Sequence, residues 1–165
     1  MKFCKVRDVK SPERGTNKAA GIDFFIPYDF NDYEEMILYP QTDMLIPSGI
    51  KAATPEGYML MAADKSGVVT SAEACRKAGR TPKKGAFSSI IVIGAKIVDE
   101  DYQGEIHIHI INVGSEPVII KPGMKIAQFI LVPVSYEEPE EVSEAELFNI
   151  STERGNDAFG STGSY

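Results

Sequence analysis

A rhythm of short apolar stretches, each cut off by a turn bearing glycine or proline, limits this chain more than any other feature. Strand signals fall on residues 22–26, 43–46, 57–62, 88–93, 105–112, 118–120 and 125–134. Between them stand Pro47-Ser48-Gly49, Pro55-Glu56-Gly57, Gly114-Ser115-Glu116-Pro117 and Lys121-Pro122-Gly123. Many short strands with regular turn signals predict an all-β sandwich, jelly roll or barrel. Residues 105–111 alternate cleanly, with Ile106, Ile108 and Ile110 on one face and His107, His109 and Ile111 on the other, which predicts a half-buried antiparallel strand. With 165 residues, the chain is long enough for one hydrophobic core without disulfides or a structural metal.

Three segments depart from the β rhythm. Residues 71–79 offer an N-cap candidate, helix formers, cations in the last turn and a closing Gly79, which predicts a short helix. A basic loop, Arg80-Thr81-Pro82-Lys83-Lys84-Gly85, follows it. Residues 137–146 hold six glutamates and are expected to be a solvated connector. Beyond residue 150 the chain turns to Gly, Ser and Thr and has little to bury, as expected of an arm that is disordered or ordered by a ligand. The expected organisation is therefore a β domain over residues 1–150, with an insertion at about 68–90, and a C-terminal arm over 151–165.

Charge narrows the partners. The formal net charge is −7, from 24 Asp and Glu against 17 Lys and Arg. Such a chain repels polyanions at long range, so neither nucleic acid nor a membrane surface is expected as a partner. A small anion can still be held where a few cations converge. Cys4 and Cys75 lack zinc-site spacing. The start MKFCKVRDVK has no apolar core of the secretory kind, and the apolar run 87–95 is too short to cross a bilayer. A cytoplasmic location is the expectation.

Several stretches carry chemistry-bearing residues. The tail 154–163 combines the Arg154 guanidinium, small residues whose N–H groups can approach an anion, the hydroxyls of Ser161 and Thr162, and the single ring of Phe159. A guanidinium and a glycine-rich backbone suit phosphate, and an aromatic ring in such a tail suits stacking. Residues 97–106 place Asp99, Glu100, Asp101 and Tyr102 in a turn between apolar stretches. One reading is a β-hairpin with a solvated acidic tip; the other is a carboxylate acting as general base beside a tyrosine-walled pocket. Asp23 lies within an apolar strand, where a buried hydrogen-bonding role is the commoner outcome. Lys65-Ser66-Gly67 and Lys125-Ile126-Ala127-Gln128 each set a cation beside a polar donor.

Taken in this order, the segments resemble the trimeric dUTPase family through five motifs: Ala20-Gly21-Ile22-Asp23; Lys65-Ser66-Gly67; Val98-Asp99-Glu100-Asp101-Tyr102-Gln103-Gly104; Gly123-Met124-Lys125-Ile126-Ala127-Gln128; and Arg154-Gly155 through Phe159-Gly160-Ser161-Thr162-Gly163. The resemblance implies a jelly-roll-like β-barrel and a homotrimer whose active sites are shared between subunits. It also implies Mg²⁺-dependent hydrolysis of dUTP to dUMP and pyrophosphate, with the metal held mainly by the triphosphate. Asp99 would activate the attacking water, and Tyr102 would pack under the deoxyribose. Lys65, Ser66, Gly67, Gln128, Arg154, Gly160, Ser161 and Thr162 would line the substrate site, most of them at the phosphates. Phe159 would cap the uracil and Asp23 would support the site.

The chain also departs from the family pattern. Lys65 and Lys125 stand where the family often has arginine, and Asp157-Ala158 replaces paired glycines. Ile91 to Lys96 lacks the asparagine common near the base, leaving uracil to be read by backbone N–H and C=O groups of the strand leading into the turn. Asp99 follows Ser66 by 33 positions, longer than the compact pattern, with residues 71–85 supplying the excess. Two other readings remain: a dCTP deaminase-like enzyme, disfavoured because His109 stands where a glutamate is needed, and a non-catalytic relative acting as a protein-binding regulator. His107 and His109 share a strand face, which without a third ligand suggests a polar or intersubunit surface rather than a metal site.

Overall fold

The computed structural model describes residues 1–30, 35–70, 76–81, 89–148, 150, 152 and 155. Twelve strands occur among them. They are β1 (Lys2–Lys5), β2 (Glu13–Arg14), β3 (Ile22–Phe24), β4 (Met36–Leu38), β5 (Asp43–Pro47), β6 (Ile50–Ala53), β7 (Tyr58–Asp64), β8 (Ile91–Ile93), β9 (Ile97–Val98), β10 (His107–Asn112), β11 (Val118–Ile120) and β12 (Ala127–Pro133). Two single-turn helices accompany them, α1 (Ser66–Val69) and α2 (Glu144–Leu147). The chain forms two compact units, Met1–Ser135 and Tyr136–Tyr165; every strand belongs to the first.

The strands are arranged as a five-stranded sheet in the order β2-β3-β12-β7-β9, a three-stranded sheet β5-β10-β8, and the pairs β1-β6 and β11-β4. Every ladder is antiparallel, which gives the jelly-roll-like β fold expected from the sequence. Period-two patterning builds the core: Ile108 and Ile110 of β10 are buried while His107 is exposed. Phe24 and Phe129 meet across β3 and β12 with ring centroids 4.3 Å apart. Isoleucines 22, 26, 46, 50, 91, 93, 106, 108, 110, 120 and 126 make up most of the remaining buried apolar residues, as suits a pleated, packed surface.

Asn112, at the end of β10, is buried and has all its polar capacity used. Its amide donates to the carbonyls of Leu38 (3.1 Å) and Glu116 (2.8 Å), and its oxygen accepts from Ser89 Oγ (2.8 Å) and Gly114 N–H (3.1 Å). A buried amide satisfied in this way joins β10 to β4 and to the 114–116 turn without an unpaired polar atom.

One expectation needs correction, and the exposed glutamate-rich connector gains a helical turn. Residues 97–106 do not form a hairpin: β9 pairs with β7, whereas β10 pairs with β5 and β8, so the acidic turn crosses from one sheet to another. The glutamate-rich connector contains helix α2, where the Glu146 carboxylate accepts from Ser143 N–H (3.0 Å) and Ser143 Oγ (2.7 Å). Those bonds, the hydroxyl's first, hold the Glu146 carboxyl below its usual range. Of the expected helix 71–79, residues 71–75 lie outside the described residues; Arg76 and Lys77 are helical, and Gly79 ends that stretch at φ 68°.

Candidate active site

Three motifs far apart in sequence meet around one buried carboxylate. Asp23 on β3 faces Gln128 of β12 in the ladder and is 3% exposed. Lys65 Nζ lies 2.7 Å from Asp23 Oδ1, and Lys125 Nζ lies 2.9 Å from Oδ2. Each carboxylate oxygen therefore has its own ammonium, and the trio carries one excess positive charge. Glu13 lies farther out, 3.9 Å from Lys125. Lys65 immediately precedes α1, so Ser66 and Gly67 open a helical turn. The Gln128 amide donates to the carbonyl of Asp64 (2.8 Å) and packs against Gly21, where any Cβ would run into its head. The first motif's glycine is thus needed because the fourth motif's glutamine lies on it.

Burial alone would push the Asp23 carboxyl up; the hydrogen bonds and charges of Lys65 and Lys125 outweigh it and hold the group below the usual carboxylate range. A depressed native pKa contributes stability above the unfolded value of about 3.9, and this is lost as pH falls through the native value. Asp23→Asn is expected to lower the unfolding free energy at pH 7 by about 1–3 kcal/mol, below the usual figure for a broken buried pair because both lysines reach water. Urea unfolding should show the gap from wild type narrowing below about pH 4. A gap unchanged at pH 3 would contradict the ion-pair account.

The third motif forms a second, separate group. Asp99 is exposed just past β9, and Tyr102 N–H donates to its carbonyl (3.3 Å). Tyr102 Oη donates to Glu105 O (2.9 Å). Glu100 accepts from Gly57 N–H (2.8 Å), and Glu105 accepts from Gly49 N–H (2.7 Å) and Arg7 Nε (2.8 Å). The turn is therefore fastened at both ends to neighbouring loops. Tyr102 also walls an open cleft of about 370 Å³, together with Phe3, Cys4, Ala52 and Glu100.

The two groups occupy opposite ends of β7. Val98 pairs with Leu60, while Gln128 pairs with Ala63. At about 3.3 Å per residue and 4.8 Å between strands, Asp99 and Gln128 are separated by about 13 Å along the sheet and about 10 Å across it. Lys65 lies about 20 Å along the strand from the level of Asp99. One subunit therefore assembles Asp23, Lys65, Ser66, Gly67 and Gln128 at one end and Asp99 with Tyr102 at the other. Arg154, Phe159, Gly160, Ser161 and Thr162, with Asp157-Ala158, lie outside the described residues.

The sequence reading did not single out Asp64, whose Oδ1 accepts from Ile93 N–H (2.7 Å). An acid ending an apolar strand directly before Lys65 was the available signal. Ile93, Gly94 and Ala95 donate their N–H groups to Asp64 Oδ1, His109 O and His109 Nδ1. These three N–H groups are consequently engaged within the protein.

The chain is a jelly-roll-like β protein with a lysine-flanked carboxylate towards one end of β7 and an acidic, tyrosine-bearing turn towards the other. The same fold is found in a Staphylococcus bacteriophage 80alpha dUTPase solved with dUpNHpp, at TM-score 0.75 and 24% identity over 98% of this chain and 97% of that one. A mutant dUTPase of phage phi11 of S. aureus, solved with a structural Mg(II) ion, aligns at TM-score 0.66 and 22% identity over 87% and 96% of the respective chains. Mouse deoxyuridine 5'-triphosphate nucleotidohydrolase is 33% identical over 164 residues, 99% of this chain and 85% of that protein. The dUTPase family model matches residues 7–163; the chain belongs to the dUTPase family.

Proposed function

We propose that this protein hydrolyses dUTP to dUMP and pyrophosphate. The observation carrying the reading from the geometry is the union of three motifs at Asp23, where Lys65, Lys125, Ser66 and Gln128 create a local cationic, donor-rich surface on an acidic protein. Family membership supplies the substrate class. Lys65, Ser66 and Gln128, joined by Arg154, Ser161 and Thr162 of the arm, hold the phosphates through charge-assisted hydrogen bonds. Fixed donors of this kind stabilise charge developing on the transferred group. Asp99 takes a proton from a water aligned with the α-phosphorus, and Tyr102 presents its ring to the deoxyribose, leaving no room for a 2′-hydroxyl. Phe159 covers the uracil.

Magnesium fits the donor set as an ion arriving on the nucleotide. No cluster of three or more His, Cys, Asp or Glu able to hold a metal occurs among the described residues, and Mg²⁺ commonly relies on substrate phosphates and water with few protein ligands. Bound there, it would neutralise phosphate charge. Asp99 and Gln128 stand too far apart in one subunit to act on one α-phosphorus, which favours a homotrimer whose sites draw on neighbouring copies. Cytoplasmic residence agrees with a free deoxynucleotide as substrate. Among the described residues no helix is long and apolar enough to cross a membrane.

Pyrophosphate release measured with dUTP, UTP, dTTP and dCTP in the presence of Mg²⁺ tests the proposal. The expected result is turnover of dUTP with at least about a hundredfold preference in kcat/KM over UTP, since a built-in steric and polar mismatch discriminates by that order. Equal turnover of UTP would overturn the role of Tyr102, and no turnover of dUTP would overturn the function.

A further inference from the structure

We propose that His109, oriented by Asp43, is a positioning residue for the segment that leads into Asp99. The inference rests on the hydrolytic reading above and adds a residue to it. The connection between β8 and β9 is clamped by this one residue: Gly94 N–H donates to the His109 carbonyl (2.9 Å), and Ala95 N–H reaches His109 Nδ1 (3.0 Å). A backbone N–H can only donate, so Nδ1 must be the unprotonated nitrogen and the neutral ring carries its proton on Nε2. That nitrogen lies 2.9 Å from Asp43 Oδ2, and a carboxylate there fixes both tautomer and ring plane. The ring also packs against Gly94, where a Cβ would collide with Nδ1, so the backbone approaches the imidazole as closely as glycine permits. Four residues beyond Ala95 stands Asp99. Beside the segment, Ala62 N–H donates to Lys96 O (2.7 Å), tying it to β7.

The physical consequence is that β9, which pairs with β7 through Ile97 and Val98 and leads directly into Asp99, starts from a backbone fixed at Ala95 by this side chain. Freeing Ala95 N–H lets the segment shift, and small displacements of a catalytic group are costly in rate. Asparagine and glutamine separate this role from simple space filling. Asn places an acceptor near the Nδ1 position and loses Asp43; Gln places a donor near Nε2, keeps more bulk, and cannot reach Ala95.

The test is steady-state kinetics with dUTP on wild type, His109→Asn and His109→Gln, with amide hydrogen exchange at Ala95 measured without nucleotide. His109→Asn is expected to stay within about threefold of wild type in kcat and to keep Ala95 protected. His109→Gln is expected to lose that protection and about tenfold in kcat, the worth of one net hydrogen bond, with KM within about twofold. Activity that follows bulk, with Gln above Asn, overturns the inference, as does Ala95 protection unchanged in His109→Gln. Lost protection with unchanged kcat overturns it too. If wild type does not hydrolyse dUTP, the function falls, and the exchange data alone still decide whether His109 holds Ala95.

Discussion

Replacing Asp99 with asparagine is expected to abolish turnover of dUTP, by about 10²–10⁴-fold in kcat, the range supplied by a positioned general base, while leaving the fold and nucleotide affinity close to wild type. The side chain is exposed and the turn is fastened through other groups: the Asp99 carbonyl with Tyr102 N–H, Glu100 with Gly57, and Tyr102 Oη with Glu105. An amide of the same shape disturbs none of these bonds. It cannot accept the proton of an attacking water, so the loss should fall on kcat and spare KM, as for an interaction made only in the transition state. Single-turnover pyrophosphate release paired with calorimetric binding of dUTP checks this. Hydrolysis within about tenfold of wild type would remove Asp99 from the role of base.

The sequence makes the fold class readable wherever side chains alternate over a buried face. The ladder 107–112 and the strands around 22–24, 43–47, 58–64 and 127–133 stand near where hydrophobic period and turn residues place them. Strands whose partners supply the reason for their existence are not readable. Lys2–Lys5 is exposed along its length and is a strand only because Ile50–Ala53 pairs with it, and Glu13–Arg14 is two residues long. The hairpin expected at 97–106 fails for the same reason: local turn chemistry does not specify which sheet each flanking strand joins.

The site shows the same division. Asp23 inside an apolar strand announces a buried hydrogen-bonding carboxylate, and it proves to be one. Its two ammonium partners come from Lys65 and Lys125, whose convergence depends on β3, β7 and β12 lying side by side. The bonds that Asp64 and His109 make are not legible in the sequence, because each side chain accepts from a backbone N–H, a partner that leaves no residue-type signal. The sequence pairs His109 with His107 on one strand face, and the structure separates the two: His107 Nδ1 lies 2.9 Å from Glu105 O, whereas His109 turns to Ala95 and Asp43.

The spacing along β7 leads to an experiment in which two inactive proteins restore each other. Asp99→Asn removes the proposed base, and Gln128→Ala removes a proposed hydrogen-bond donor to the phosphates while emptying the space over Gly21. If one subunit supplied both groups to one site, a mixture could do no better than its parents. The ladder separates them by about 13 Å along the sheet and about 10 Å across it, whereas a general base must come within hydrogen-bond reach of its water, about 3 Å. In the proposed homotrimer, a closed ring of identical copies would join the Asp99 end of one subunit to the Gln128 end of the next. Unfolding and refolding the two variants together in equal amounts should then yield sites that are intact in both respects about one time in four, by random assortment around the ring. The expected result is recovery of about a quarter of wild-type dUTP turnover from parents that each have little. Activity no greater than the mean of the two parents, in mixed oligomers verified by mass spectrometry, would place both groups in one chain's site and would require the turn at Asp99 to move the length of β7.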